Sequence, residues 1–213
     1  MPKIKLAPSI LSADENNINK EIEQVAHYAK LIHVDIMDGI FVPQTTWTSD
    51  FVKTIKTKIP LDVHLMVQDP SDEYLKGFID ANAYSITVHQ EACSDLQHTL
   101  EFIKKNNTKT CIALKPNTPL KKISEFIDQI DMVLIMTVEP GKAGQAFIPG
   151  PLKKAEELRK LKPNLDIEVD GGINKATINS CYKSGANVFV AGSAIFKQLD
   201  RIKAIKELLN NLK

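Results

Sequence analysis

Four residues in this chain carry the types and spacing for metal-assisted acid–base chemistry. The stretch Leu31-Ile32-His33-Val34-Asp35-Ile36-Met37-Asp38-Gly39 reads as a buried strand interrupted by an imidazole and a carboxylate. His33 and Asp35 are two apart, so on a strand they share a face. Burying both is costly unless something pairs with them. A divalent metal would do so, and so would a buried ion pair. His64, in Asp62-Val63-His64-Leu65-Met66, and Asp170, in Glu168-Val169-Asp170-Gly171-Gly172, stand at the ends of two further apolar runs. Two histidines and two carboxylates suit zinc, iron(II), manganese or cobalt, and ligand type alone does not choose among them. The competing reading is a structural His–Asp pair with His64 merely buried. The gathering of all four at strand ends favours the metal. His89 ends another run and reads as a group behind the ligands or a satisfied core histidine. His27 and His98 fall on helical stretches as surface or packing residues, and Asp38, beside Gly39, reads as a turn carboxylate.

A second kind of chemistry is suggested by glycines. Gly171-Gly172 and Gly192-Ser193 each follow a strand-like run, and glycine lets backbone N–H groups approach an anion closely. Each pair alone is an ordinary turn, whereas both at neighbouring strand ends suggest a phosphate grip. The loop Pro140-Gly141-Lys142-Ala143-Gly144-Gln145 can fold over the same anion as a lid.

Positioning these groups requires a regular scaffold. Short apolar runs near residues 5–10, 31–37, 60–65, 84–89, 109–114, 132–137, 165–170 and 188–191 alternate with helical periods near 14–29, 49–55, 71–79, 95–106, 119–127, 151–161, 175–184 and 200–210. Strict β-α alternation implies a parallel sheet covered on both faces. Eight units in 213 residues fit a single (β/α)8 barrel, the TIM barrel, spanning residues 1–213 as one domain. A doubly wound open sheet is the runner-up. In a barrel the C-terminal strand ends form the mouth, where Ser9, His33, Asp35, His64, His89, Asp170 and Gly192-Ser193 would all lie.

Composition narrows the class. The chain is 43% hydrophobic and 25% charged with a formal net charge of +1, so it carries no electrostatic footprint for nucleic acid or an anionic membrane. No apolar run approaches a membrane span, and no signal peptide is expected. Cys93, Cys111 and Cys181 are widely spaced and odd in number, which suggests reduced thiols and a cytoplasmic setting.

Six blocks in order resemble the ribulose-phosphate 3-epimerase family across nearly the whole chain: Leu6-Ala7-Pro8-Ser9-Ile10-Leu11-Ser12-Ala13-Asp14, His33-Val34-Asp35-Ile36-Met37-Asp38-Gly39, Leu61-Asp62-Val63-His64-Leu65-Met66-Val67, Met136-Thr137-Val138-Glu139-Pro140-Gly141, Glu168-Val169-Asp170-Gly171-Gly172-Ile173-Asn174 and Val190-Ala191-Gly192-Ser193-Ala194-Ile195-Phe196. The resemblance implies interconversion of D-ribulose 5-phosphate and D-xylulose 5-phosphate, a step of the pentose phosphate pathway. It implies one divalent metal on His33, Asp35, His64 and Asp170, with Asp35 and Asp170 as the acid–base pair. Ser9 and His64 would touch substrate. Gly171, Gly172, Gly192 and Ser193 would hold phosphate, with Gly141, Lys142, Ala143 and Gly144 closing over it. A homo-oligomer, dimer or hexamer, is also implied.

Two loops depart from the family pattern. Glu139, Lys142 and Ala143 stand where the lid usually has Asn, Phe and Gly, and Ala143 is less free than glycine to take positive φ. Lys142 adds a cation that can reach the phosphate or stay solvated. Gln44-Thr45-Thr46-Trp47-Thr48 replaces the usual Asn-Ile-Thr-Phe-Gly, so sugar preference and assembly are the properties exposed to change. Chemically, inverting a carbon beside a ketone needs a proton removed from one face and returned to the other, through an enediolate, by two carboxylates. Met37, Met66 and Met136 can wall that intermediate with groups that do not protonate it, or simply pack. Three rivals are an allulose-6-phosphate 3-epimerase, a Schiff-base aldolase using Lys115, and a non-catalytic sugar-phosphate-binding barrel.

Overall fold

The computed structural model describes residues 2–212. Eight parallel strands form one ring: β1 Lys5–Pro8, β2 Ile32–Met37, β3 Leu61–Met66, β4 Ala83–His89, β5 Lys109–Leu114, β6 Met132–Met136, β7 Asp166–Asp170 and β8 Val188–Ala191. Their order is β1-β8-β7-β6-β5-β4-β3-β2. The seam between β1 and β2 is joined by a single bridge, Ser9 to His33, and by the Lys30 and Leu31 amides, which both donate to the Leu6 carbonyl. The barrel predicted from alternation is therefore present, and the open-sheet alternative is not.

The outer layer holds α1 Ile18–Val25, α2 Ser49–Lys53, α3 Asp72–Asp80, α4 Leu96–Lys105, α5 Leu152–Leu161, α6 Ile178–Lys183, α7 Ser193–Phe196 and α8 Arg201–Asn210. Side chains cap the N-termini of three of these helices. Ser71, Asp95 and Asp200 accept from the amides of Tyr74, His98 and Lys203, relieving N–H groups that have no partner in the first turn. None of these helices is long and apolar enough to cross a membrane.

One expected helix is different. Residues 119–127 form a 3₁₀ turn, Leu120–Ile123, followed by further turns whose amides bond three residues back, such as Phe126 to Ile123 and Gln129 to Phe126. Leu120, Ile123 and Phe126 are spaced by three, the period at which 3₁₀ side chains eclipse, and all three are buried. The chain also enters α1 through two short 3₁₀ turns, Ile10–Ser12 capped by Ser9 and Glu15–Asn17 capped by Asp14.

Strand residues alternate between two environments. One set, including Ile32, Val34, Ile36, Val63, Leu65, Ile86, Ile112, Val133, Ile135, Ile167, Val169 and Phe189, joins the large core between barrel and helices. Phe78 and Phe189 are fully buried there, each contributing about 2–3 kcal/mol of apolar burial. The other set points into the barrel. Part of it is apolar, with Ala7, Leu31, Cys111, Met132, Val188 and Val190 in one cluster. Other inward positions are polar: His33, Asp35, Asp62, His64, Ser85, Thr87, His89, Glu168 and Asp170. Packed among apolar neighbours and shut off from water, these polar groups are forced to partner one another.

Candidate active site

Register places the inward polar groups in rows. Asp35 lies opposite His64, and His64 opposite Thr87, while one step lower His33 lies opposite Asp62 and Asp62 opposite Ser85. Asp170 enters from β7, beside Met136 of β6. One ligand atom from each of His33, Asp35, His64 and Asp170 lies within 4.8 Å of the others, so a single ion can be reached by all four. His33 Nε2 is buried with no hydrogen-bond partner, 3.4 Å from Asp35 Oδ1. His64 Nδ1 lies 3.2 Å from the same Oδ1, and its Nε2 lies 2.9 Å from His89 Nε2. A buried nitrogen without a hydrogen-bond partner, facing a carboxylate, is a donor suited to a divalent ion, and the residues fit the group. Ser9 Oγ donates to Asp35 Oδ2 at 2.6 Å, leaving Oδ1 for the cluster.

The electrostatics are those of charges packed around one point. Burial alone would strip the proton from His33, yet Asp35, Asp62 and Glu168 hold its pKa well above the ordinary imidazole value. Burial also opposes the charge on Asp35, but His33 and His64 outweigh it and keep that carboxyl far below the usual range. Asp170 moves the other way. Burial, then repulsion from Asp35, raises it to about 6. His89 is pushed down to about 4, chiefly by burial, so it is neutral beside His64. The two catalytic candidates are thus split, one firmly ionised and one able to carry a proton near neutrality, as an acid–base pair requires.

A cavity of about 440 Å³ opens above this cluster. Asp35 and Asp170 form part of its floor, Met37, Met66 and Met136 part of its wall, and Gly171, Gly172, Gly192 and Ser193 its far side. His33 and His64 are fully buried beneath it. Gly171 and Gly172 have φ of +116° and +66°, and a Cβ at Gly172 would lie 3.0 Å from the Phe147 backbone. The Gly172 carbonyl is tied by Asn174 Nδ2 and Thr177 Oγ1 at 3.0 and 2.8 Å, which fixes the peptide that faces the cavity. Gly192 leads into α7, a single turn.

Gly141, Lys142, Ala143 and Gly144 line the cavity. Gln145 Nε2 donates to the carbonyls of Glu139 and Lys142 at 2.6 and 2.8 Å, closing the loop on itself. Positive φ falls on Gly141 and Gly144, and among the described residues only Asp69, Asn82 and Asn107 show it outside glycine. Ala143 therefore sits in ordinary backbone, and its departure from glycine costs no strain. The other departing loop divides its roles. Trp47 stacks on Phe51 at 4.7 Å, against the core, while a Cβ at Gly141 would meet Val42 and the side-chain oxygen of Gln44. The two variant loops thus abut each other at the cavity edge.

Several residues were invisible to sequence reasoning. Ser12, Asn174, Lys197 and Gln198 line the cavity, and Glu168 joins Asp62 beneath His33. Only the alternation of Asp62 with His64 and of Glu168 with Asp170 could have signalled inward-facing acids. Asp38 is a turn carboxylate, accepting from the amides of Ile40, Phe41 and Gln68. His98 bonds Asp72 at the surface. Lys115 lies outside the cavity lining, with its ammonium 4.0 Å from the centre of the Phe41 ring, which removes the basis for a Schiff-base nucleophile there.

Comparison with known proteins agrees with this geometry. The model of the ribulose-phosphate 3 epimerase family matches residues 5–196. The chain is similar to the ribulose-phosphate 3-epimerase of Bacillus subtilis strain 168, 45% identical over 213 residues, covering 96% of this chain and 98% of the relative. It is 39% identical over 220 residues to that of Escherichia coli K12, covering 100% and 97%. With the cytoplasmic isoform from rice, Oryza sativa subsp. japonica, it shares 41% over 199 residues, covering 90% and 87%. Among solved structures, KGPDC from Streptococcus mutans superposes with a TM-score of 0.75 at 14% identity, covering 99% and 97% of the two chains. A 3-hexulose-6-phosphate synthase gives 0.72 at 22%, covering 99% and 100%. At those identities the structural likeness speaks for the fold alone.

Proposed function

This chain belongs to the ribulose-phosphate 3-epimerase family, and from that premise we propose that it interconverts D-ribulose 5-phosphate and D-xylulose 5-phosphate by inverting C3. The observation that carries the reading is the pair Asp35 and Asp170, from strands three steps apart around the ring, meeting at the cavity floor with opposed pKa shifts. Asp35 is ionised and takes the C3 proton from one face. Asp170, raised to about 6, takes up a proton far more readily than Asp35 and returns one to the other face, and the roles reverse for the reverse reaction. Ser9 donates to Asp35 Oδ2 and so orients that carboxylate. Met37, Met66 and Met136 wall the enediolate with side chains that offer no acidic proton. The backbone at Gly171, Gly172, Gly192 and Ser193, with Lys142 across from it in the lid, anchors the phosphate away from the reacting carbon. A divalent ion held by His33, Asp35, His64 and Asp170, whether zinc, iron(II), manganese or cobalt, would supply Lewis-acid stabilisation of the developing oxygen charge. Three free cysteines and the rice relative described as cytoplasmic support a cytoplasmic setting. Exposed Ile40 and Leu199, the latter beside the cavity-lining Gln198, are consistent with a homo-oligomeric assembly, which light scattering would measure.

The test is a coupled epimerisation assay on D-ribulose 5-phosphate, with and without chelator, beside Asp35→Asn and Asp170→Asn. Metal-dependent activity that falls by roughly 10²–10⁴-fold in each variant is the expected outcome. Full activity after verified metal removal refutes the metal assignment. Turnover of a six-carbon ketose phosphate in preference to the pentulose would move the specificity, and no turnover of either would leave a binding protein.

A further inference from the structure

Beneath the ligand cluster lies a second, fully buried polar row that the reaction itself does not use. His33 Nδ1 lies 2.7 Å from Asp62 Oδ2, and both side chains are completely buried. Asp62 Oδ1 accepts from Ser85 Oγ at 2.6 Å, so both Asp62 oxygens are engaged and the carboxylate cannot turn. The three residues are register partners across β2, β3 and β4, so the sheet itself fixes the line Ser85, Asp62, His33. Glu168 enters from β7 with Oε1 3.7 Å from the same Nδ1, beyond hydrogen-bond reach, and neither of its oxygens has a hydrogen-bond partner. The far nitrogen, His33 Nε2, is the unpartnered one that faces Asp35.

We propose that Asp62, locked by Ser85, is a positioning residue for the metal centre: it holds the proton on His33 Nδ1 and the ring in the one orientation that presents the Nε2 lone pair to the ion. The physical reason is that an ionised carboxylate only accepts hydrogen bonds, so its nitrogen partner must be the N–H side of the imidazole. A ligand ring fixed in tautomer and angle loses little freedom on binding metal, and its basicity rises with the carboxylate behind it. Without Asp62 the buried ring has no partner at Nδ1, and it can turn or change tautomer. Glu168, too far to bond Nδ1, contributes less. The inference rests on the proposed metal site but not on the sugar reaction.

The test is cobalt(II) binding to the whole protein without sugar, read by chelator competition and by the visible absorption of the bound ion, whose shape reports ligand geometry. Asp62→Leu is expected to weaken binding by roughly 100-fold and to change the spectrum. Asp62→Asn keeps an oxygen that accepts from Nδ1 and should lose only roughly tenfold. Ser85→Ala frees the carboxylate to swing and should lose a few-fold, with Glu168→Gln smaller than Asp62→Asn. Ser85→Ala removes one oxygen atom and keeps the test informative if Asp62→Leu does not fold. Folded Asp62→Asn and Ser85→Ala proteins with unchanged affinity and spectrum would overturn the proposal. So would a wild-type protein that binds no cobalt. Tight cobalt binding by a wild type that leaves ribulose 5-phosphate unchanged would refute the proposed reaction while the variant series still decides the role of Asp62.

Discussion

Replacing Gly172 by alanine isolates the steric requirement of the proposed phosphate grip. Gly172 has φ of +66°, and an added Cβ would lie 2.9 Å from Phe147 Cβ and 3.0 Å from both its Cα and its amide nitrogen. Two of those three atoms are backbone, so no rotamer change relieves the contact. Holding alanine at left-handed φ costs about 1–2 kcal/mol. Pushing the 147 backbone aside costs about 1–3 kcal/mol more, as overpacking does elsewhere. Gly144→Ala is the control, since Gly144 has φ of +74° and a Cβ there meets nothing within 4 Å. It carries the backbone cost without the clash. Urea unfolding should therefore rank wild type above Gly144→Ala and Gly144→Ala above Gly172→Ala, the last gap being about 1–3 kcal/mol. Relief of the clash moves the segment after β6 away from the loop after β7, opening the two walls between which phosphate would sit. KM for the sugar phosphate should rise by about tenfold or more, since each 1.4 kcal/mol of lost binding is worth a factor of about ten. Equal stability of the two variants, with KM unchanged in Gly172→Ala, would refute both the geometry and the phosphate assignment.

Other consequences are as direct. Gly192→Ala should be mild, because its Cβ would meet a rotatable hydroxyl, Ser12 Oγ at 2.7 Å, and φ there is negative; urea melts and KM within about threefold of wild type would check it. A metal ion present at about 100 times its Kd should stabilise the protein by about 2.7 kcal/mol, raising Tm by about 5–10 °C in a domain of this size, and scanning calorimetry with and without chelator measures that shift. Metal affinity should climb with pH, because the ion displaces a proton from His33, whose pKa is raised, and competes with one on Asp170, raised to about 6. Each displaced proton is worth about tenfold in affinity per pH unit below the pKa it leaves. A flat profile between about pH 5 and 8 would contradict this electrostatic picture. Lys154→Met should cost about 2–4 kcal/mol, since the Lys154 ammonium, nearly buried, donates to the carbonyls of Lys115, Pro116 and Thr118 at 2.7, 3.1 and 3.0 Å, and methionine leaves all three without that donor.

How much of this was legible in the sequence depends on the range of the forces involved. Alternation of apolar runs and helical periods is local, and it was enough to predict the barrel and to bring His33, Asp35, His64 and Asp170 to one end. The His/Asp cluster was legible because a charged residue inside an apolar strand is conspicuous. Asp62 and Glu168 satisfy the same criterion, since both interrupt apolar runs at inward positions two before His64 and Asp170. What sets Asp62 behind a ligand rather than among the ligands is inter-strand register, which puts it between His33 and Ser85 and which no local pattern encodes. The segment after β5 departs from expectation for a different reason. A spacing of three at Leu120, Ile123 and Phe126 suits both an α-helix face and a 3₁₀ turn, and packing chose the turn. Ala143 looks like a liability by residue type, and only the backbone reveals that positive φ falls on its neighbours Gly141 and Gly144.

The seam of the barrel explains why the site stands where it does. Between β1 and β2 there is one bridge besides the two amides that donate to Leu6, and its residues are Ser9 and His33. Ser9 also donates its hydroxyl to Asp35, while His33 supplies the unpartnered nitrogen of the ligand cluster. The join that closes the ring and the groups proposed to do the chemistry are therefore partly the same residues. An ion bound by His33 and Asp35 of β2, His64 of β3 and Asp170 of β7 would tie together strands on both sides of that seam, reinforcing the ring where its backbone pairing is thinnest. Removal of the ion should then loosen β1 and β2 in preference to β4 through β6, whose pairing is continuous. Hydrogen exchange reads this directly. Faster exchange at the Lys30 and Leu31 amides, which donate to Leu6 across the seam, and at the β2 amides on chelation, with β5 unchanged, follows from the seam argument, and uniform loosening around the ring would refute it.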